Sequence, residues 1–201
     1  MKRVYLLRHG RTEANDRHLY CGSTDLSLSP SGREALKELR RKGGYPEISG
    51  CRVITSGMRR AEETLRLFYG EVSHTAEPEL REVDFGAFEM RGYEELCTDP
   101  DYRAWCEGDN RRNTPPGGES GEIMEKRVLS AFHRLSAQEG DLLIVCHGGP
   151  IAAIMADLFP EEGKNLYQWQ PPHGTGYTLE LDGQKKTWHP IPKGGDEHGG
   201  N

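Results

Sequence analysis

The sequence predicts an α/β fold: a three-layer sandwich with a mostly parallel central sheet, an antiparallel edge strand and helices on both faces. Three observations carry this. Short apolar runs alternate along the chain with stretches of helical period, the pattern of a parallel sheet with right-handed crossovers. Two of these runs, Val4-Tyr5-Leu6-Leu7 and Leu142-Leu143-Ile144-Val145, read as short buried strands, the second as the strongest central strand of the chain. Near the C-terminus, Tyr177–Leu181 and Lys185–His189 flank Asp182-Gly183, a hairpin signal that would supply the antiparallel edge.

The elements follow in order. After the first strand, a loop rich in Gly, Ser and Asp runs from Asp16 to Ser29. Ser29 is then a candidate N-cap, with Pro30 in the first helical position, Ala35, Leu36 and Leu39 as an apolar stripe, and Gly43-Gly44 as the stop. Cys51–Thr55 reads as a strand. A helix is expected from Ser56 to about Tyr69, with Ala61, Leu65 and Phe68 on one face, and a short strand from Ser73 to Ala76. Short helical signals at Tyr93–Leu96 and Tyr102–Trp105 precede an irregular run, Gly108 to Pro116. Glu119–Ala137 is an amphipathic helix with Ile123, Val128, Leu129, Phe132 and Leu135 as buried candidates. Pro150 starts the helix after the central strand.

At 201 residues the chain suits one good-sized core. We expect a single domain over residues 1–192, an inserted substrate-side subregion at about 86–118, and a flexible polar tail over 193–201. The formal charge of −6 argues against a nucleic-acid binder, so any anion site must be a local cluster of arginines. No apolar segment is long enough to span a membrane, and the stretch after Lys2-Arg3 is too short for a signal peptide. Five cysteines without paired spacing suit free thiols in a reducing cytoplasm. No CxxC or HxxxH pairing suggests a zinc site, and no cofactor is expected.

Four segments carry chemistry. Both strong strands end in histidine-glycine, at Arg8-His9-Gly10 and at Cys146-His147-Gly148-Gly149. Strand ends are where open α/β sheets place their ligands, so neighbouring strands would bring His9 and His147 together. One such histidine is an ordinary exposed turn; two at matching positions point to a shared site. Arginine forks onto phosphoryl oxygens, neutral imidazole is a nucleophile, and glycine admits the backbone close to an anion. The third segment, Thr55 to Thr64, follows a strand and opens a helix, so Arg60 can project from its first turn, although arginine pairs such as Arg59-Arg60 are usually solvated. In the fourth, Glu79 to Gly86, Glu82 or Asp84 could supply a proton donor, where a plain surface acid is the ordinary alternative.

Together these segments give the chain its resemblance to the histidine phosphatase superfamily, the group that contains cofactor-dependent phosphoglycerate mutase. The match runs in order to about residue 190. The resemblance implies that His9 becomes phosphorylated, that Arg8, Arg60 and His147 hold the phosphoryl oxygens, and that Glu82 is the proton donor. It also implies that Asn15 and Gly22 shape the phosphate pocket, together with Gly148. The implied reaction has two steps: transfer of the phosphoryl group to His9, then hydrolysis of the phosphohistidine, with no metal required. The chain departs from the family pattern at Thr55, which replaces a serine. It departs again at Glu89-Met90, where Glu-Gly is usual and a different turn is expected.

Within the family, Pro116-Gly117-Gly118-Glu119-Ser120 and the run Tyr93 to Trp105 resemble the phosphatase branch, including α-ribazole phosphatases. Arg111-Arg112 followed by Pro115-Pro116 is similar instead to a mutase segment that holds a carboxylate, which keeps phosphoglycerate-mutase-type transfer open. A noncatalytic phospho-ligand binding module is a third reading; it would not need Glu82. Tyr93, Trp105, Arg111 and Arg112 are the residues expected to meet the leaving group of a small phosphorylated metabolite. The family commonly forms homodimers, and no exposed stripe in the sequence identifies an interface.

Overall fold

The computed structural model describes residues 1–109 and 111–193. Among these, six strands form one sheet: β1 (Lys2–Arg8), β2 (Arg52–Thr55), β3 (Thr75–Ala76), β4 (Leu142–Cys146), β5 (Gly176–Asp182) and β6 (Lys185–Ile191). Their spatial order is β3-β2-β4-β1-β5-β6. The first four of that order run parallel, and the hairpin of β5 and β6 adds antiparallel to β1. The helices are α1 (Glu13–Asp16), α2 (Pro30–Lys42), α3 (Arg59–Tyr69), α4 (Tyr93–Leu96), α5 (Pro100–Cys106), α6 (Gly121–Ser136), α7 (Gly148–Leu158) and α8 (Leu166–Trp169). Of the tail expected from residue 193 only Lys193 is described, and Asn110 of the expected irregular run also lies outside the described residues.

Alternation along the two central strands builds the three layers. Val4, Leu6, Leu142 and Ile144 face α6 and α7 and pack with Val128, Phe132, Ile151 and Ile154. Tyr5, Leu7, Leu143 and Val145 point the other way, toward α2 and α3, and meet Leu36, Ala61, Leu65 and Phe68. Covered on both faces, these strands have no polar side, which is why they read as unbroken apolar runs. Each large aliphatic side chain buried here contributes about 1.5–3 kcal/mol.

Helix ends follow the capping residues. Ser29 Oγ accepts the Gly32 N–H at 3.1 Å and Ser120 Oγ accepts the Ile123 N–H at 3.3 Å. Two expectations shift. The helix expected from Ser56 begins at Arg59, because residues 56–58 form a bend in which Gly57 has φ +74°. Ile123, expected inside, is 54% exposed. The buried stripe of α6 runs Met124, Val128, Ala131, Phe132 and Leu135, and residue 123 lies about 100° off its start.

Residues 85–105 form a satellite cluster. Phe88, Leu96 and Tyr102 are buried, with Tyr20, Phe85 and Trp105 packed against them. Two backbone hydrogen bonds tie this segment to the loop after β1, Met90 N–H to Tyr20 O at 2.7 Å and Tyr20 N–H to Arg91 O at 3.0 Å. Met90 stands at φ +60°, so its backbone takes the left-handed conformation that glycine adopts without strain.

Candidate active site

Strand register assembles the site. Arg8 pairs with Cys146 across β1 and β4, and the His9 N–H donates to the Cys146 carbonyl at 3.0 Å. The residues that follow, His9 and His147, therefore meet at the carboxyl edge of the sheet with ring centroids 4.9 Å apart. β2 arrives beside them, its continuation fixed by the Ser56 N–H donating to the Val145 carbonyl at 3.2 Å.

The protonation of His9 follows from its partners. Its Nδ1 lies 2.6 Å from the Gly10 carbonyl oxygen, which can only accept. Nδ1 therefore carries the proton, and in the neutral ring Nε2 holds a free lone pair. The ring is kept neutral because burial drives its pKa well below the usual histidine value, with His147, Arg60, His173 and Arg8 acting in the same direction.

Arg60 is almost wholly buried. Its Nε donates to His147 Nδ1 at 3.2 Å, Nη1 to the Thr24 carbonyl at 2.8 Å and Nη2 to the Gly22 carbonyl at 2.7 Å. Because His147 Nδ1 accepts, its Nε2 carries the proton and donates to Ser56 Oγ at 2.8 Å. Burial, followed by Arg60 and Arg8, holds the His147 pKa well below the usual value. His147 thus orients Arg60 while both its ring nitrogens face protein partners. Arg8 donates to the Pro171 carbonyl at 2.8 Å, and its buried Nε has no partner among the described residues. The buried Arg60 and the half-buried Arg8 thus meet neutral acceptors rather than carboxylates. Such a site favours an anion that brings the missing charge and acceptors.

Glu82 reaches this edge from the segment before the satellite cluster. Its carboxylate accepts the Gly149 N–H in the first turn of α7 at 3.0 Å and the Val83 N–H at 3.0 Å. Asp84, the other acid considered, instead accepts Ser23 Oγ–H at 2.8 Å and the Gly86 N–H at 2.9 Å. The backbone of Glu82 is held by Arg127 of α6. Arg127 donates to the carbonyls of Glu79, Arg81 and Glu82 at 2.7, 2.8 and 2.9 Å and pairs with Glu119.

The remaining sequence-nominated residues divide. Asn15 accepts the Thr12 N–H at 2.9 Å and Thr12 Oγ–H at 3.0 Å, which fixes the turn after Gly10. Gly22 passes so close to the next segment that a Cβ there would stand 1.6 Å from the Val83 carbonyl oxygen, so only glycine fits. Gly148 opens α7 against the Arg8 guanidinium. Trp105 is half-buried in the satellite cluster and Tyr93 lies exposed at its edge. Arg111 forks onto Glu125, and Arg112 donates to Glu122 at 3.0 Å. Both pair with acids of α6 and remain exposed to solvent.

Sequence reasoning missed His173. It sits 5.3 Å from His9 between ring centroids, and its Nδ1 bonds the His9 carbonyl at 3.1 Å. Burial and then Arg8 push its pKa down to about 3. Arg127 was missed as well, and no motif marks it or His173; Ser56 lies within the Thr55–Thr64 segment, but its hydrogen bond to His147 was not foreseen. Among the described residues, no group of three or more His, Cys, Asp or Glu side chains is placed to hold a metal ion.

Comparison with known proteins gives the family and its relatives. The family model of the histidine phosphatase superfamily (branch 1) matches residues 4–191. The adenosylcobalamin/alpha-ribazole phosphatase of Salmonella typhimurium is 31% identical over 185 residues, covering 89% of this chain and 90% of that protein. The Escherichia coli protein of the same name is 28% identical over 186 residues, covering 90% of each. The crystal structure of the alpha-ribazole phosphatase from Shigella flexneri superposes with a TM-score of 0.81 at 29% identity, covering 95% of this chain and 96% of that one.

Proposed function

Since the chain belongs to the histidine phosphatase superfamily (branch 1) and is a phosphomonoester hydrolase, we propose that it hydrolyses a small phosphate ester, α-ribazole 5′-phosphate first among the candidates, through a phosphohistidine on His9. The single observation that carries the mechanism is the 2.6 Å contact between His9 Nδ1 and the Gly10 carbonyl. It leaves Nε2 unprotonated and fixed, as an in-line nucleophile must be.

In the first step Nε2 attacks phosphorus, the N–P bond forms and the ester P–O bond breaks. Arg8 and Arg60 offset the charge on the equatorial oxygens, and the empty donor at Arg8 Nε gains an acceptor. Glu82 gives its proton to the leaving alkoxide. In the second step Glu82 takes a proton from water, whose oxygen attacks phosphorus and releases phosphate and His9. The α-ribazole assignment is supported by the names of relatives that cover nine-tenths of the chain. The aromatic side chains of Tyr20, Phe85 and Trp105 suit a flat base, and they stand two and three residues from Gly22 and Glu82 or pack on those that do. The five unpaired cysteines suit a reducing compartment, and no described helix is long and apolar enough to cross a membrane.

The test is phosphate release from α-ribazole 5′-phosphate, sugar phosphates, nucleotides and 3-phosphoglycerate. Preference for α-ribazole 5′-phosphate in kcat/KM supports the substrate assignment. A different preferred ester removes it, and isomerisation of 3-phosphoglycerate without net release removes the hydrolytic mechanism.

A further inference from the structure

The carboxylate of Glu89 gathers more donors than any other acid at the active-site edge. Oε1 accepts the backbone N–H groups of Gly22 at 2.9 Å, Ser23 at 3.0 Å and Phe85 at 3.1 Å. Oε2 accepts the Thr24 N–H at 3.2 Å and the Thr24 hydroxyl at 2.6 Å. Three successive amides of one loop and one amide of the satellite segment thus point at a single half-buried anion, the arrangement of an oxyanion nest filled by the protein's own side chain.

The same loop carries the acceptors of Arg60. The Gly22 and Thr24 carbonyls take both ends of its guanidinium, on the opposite side of peptide units whose neighbours Glu89 holds by their N–H groups. Among the described residues Arg60 has no carboxylate partner, and its hydrogen bonds go to these carbonyls and to His147. We propose that Glu89 is a positioning residue for phosphate binding: by fixing residues 22–24 it aims the Arg60 guanidinium. Arginine's planar fork makes this matter, because a tilt of its plane misaligns every remaining N–H at once. The inference rests on the phosphatase reading for its kinetics and on phosphate binding for its independent test.

Glu89→Gln is the informative variant. Its amide keeps one acceptor oxygen and turns an NH₂ group toward the other set of donors, so the loop loses half its hold without a change in volume. The probe is inorganic phosphate, titrated calorimetrically and as a competitive inhibitor, on wild type, Glu89→Gln, Arg60→Met and the double variant. We expect Glu89→Gln to weaken phosphate binding by about tenfold or more, with an unchanged circular dichroism spectrum. In the Arg60→Met background the same change should have no further effect, since the group it aims is gone. Equal loss in both backgrounds, or phosphate affinity of wild-type strength in Glu89→Gln, would overturn the assignment. If Glu89→Gln fails to fold, Thr24→Val removes one donor alone and should give a smaller loss with the same background dependence; an additive loss there also overturns it. Failure of wild type to hydrolyse any ester while binding phosphate would instead count against the phosphatase reading and leave the positioning test intact.

Discussion

The Glu82 carboxylate and the backbone of Gly149 fit only because residue 149 has no side chain. The amide donates to Glu82 at 3.0 Å, and a Cβ at 149 would stand 2.3 Å from Glu82 Oε1. That atom is the end of a flexible side chain, so in Gly149→Ala the carboxylate swings aside and the fold survives. Alanine also suits a helical position better than glycine, by about 1 kcal/mol. The variant should keep or raise the thermal midpoint while kcat falls by about 10²–10⁴-fold, the range for loss of a general acid. Thermal denaturation and turnover measured on one preparation check both halves; a parallel loss of stability and activity would contradict the account.

Arg127 should show itself through the leaving group. It holds three carbonyls of the Glu79–Glu82 segment, so Arg127→Met loosens the proton donor without touching the phosphate pocket. Aryl esters such as p-nitrophenyl phosphate leave without protonation, whereas alkyl esters need the proton. The variant should therefore lose about tenfold or more on alkyl esters and little on p-nitrophenyl phosphate. Equal losses on both would show that Arg127 serves stability alone.

These residues also show what could be read in the chain. His9, His147 and Arg60 were legible because each sits within a few residues of a strand end, where local pattern and sheet topology together give the position. The α2 cap at Ser29 and the β5–β6 hairpin were legible for the same reason: their signals are contiguous. The start of α3 was not, since the Gly57 turn delays it, and Ile123 was misread because a stripe one residue out of phase fits almost as well. Arg127 and His173 were invisible because the backbone groups they hold lie dozens of residues away or more, with no spacing rule between them, and the bond from His147 to Ser56 was hidden for the same reason. Arg111 and Arg112 carried a family likeness, but their acids lie on α6 and only packing reveals the pairing.

His173 makes stability depend on pH. Its folded pKa of about 3 lies below the ordinary histidine value of 6.5. Between those values the unfolded chain binds a proton that the folded chain does not, so acidification favours unfolding. His9 and His147 act with the same sign. Lowering the pH from 7 to 5 should cost about 1–2 kcal/mol for His173 alone, and His173→Gln should remove that part of the slope. Urea midpoints of both proteins at the two pH values decide; identical slopes would mean that His173 is not held neutral.

Trapping the phosphoenzyme tests the central claim most directly. Wild type and His9→Ala are mixed with a radiolabelled phosphomonoester in EDTA, quenched within the first turnover, and assayed for protein-bound label and released phosphate. The account predicts acid-labile, alkali-stable label on wild type, as phosphohistidine requires, with neither label nor turnover in His9→Ala. Turnover of wild-type magnitude in His9→Ala, or labelling that survives the substitution, would contradict it.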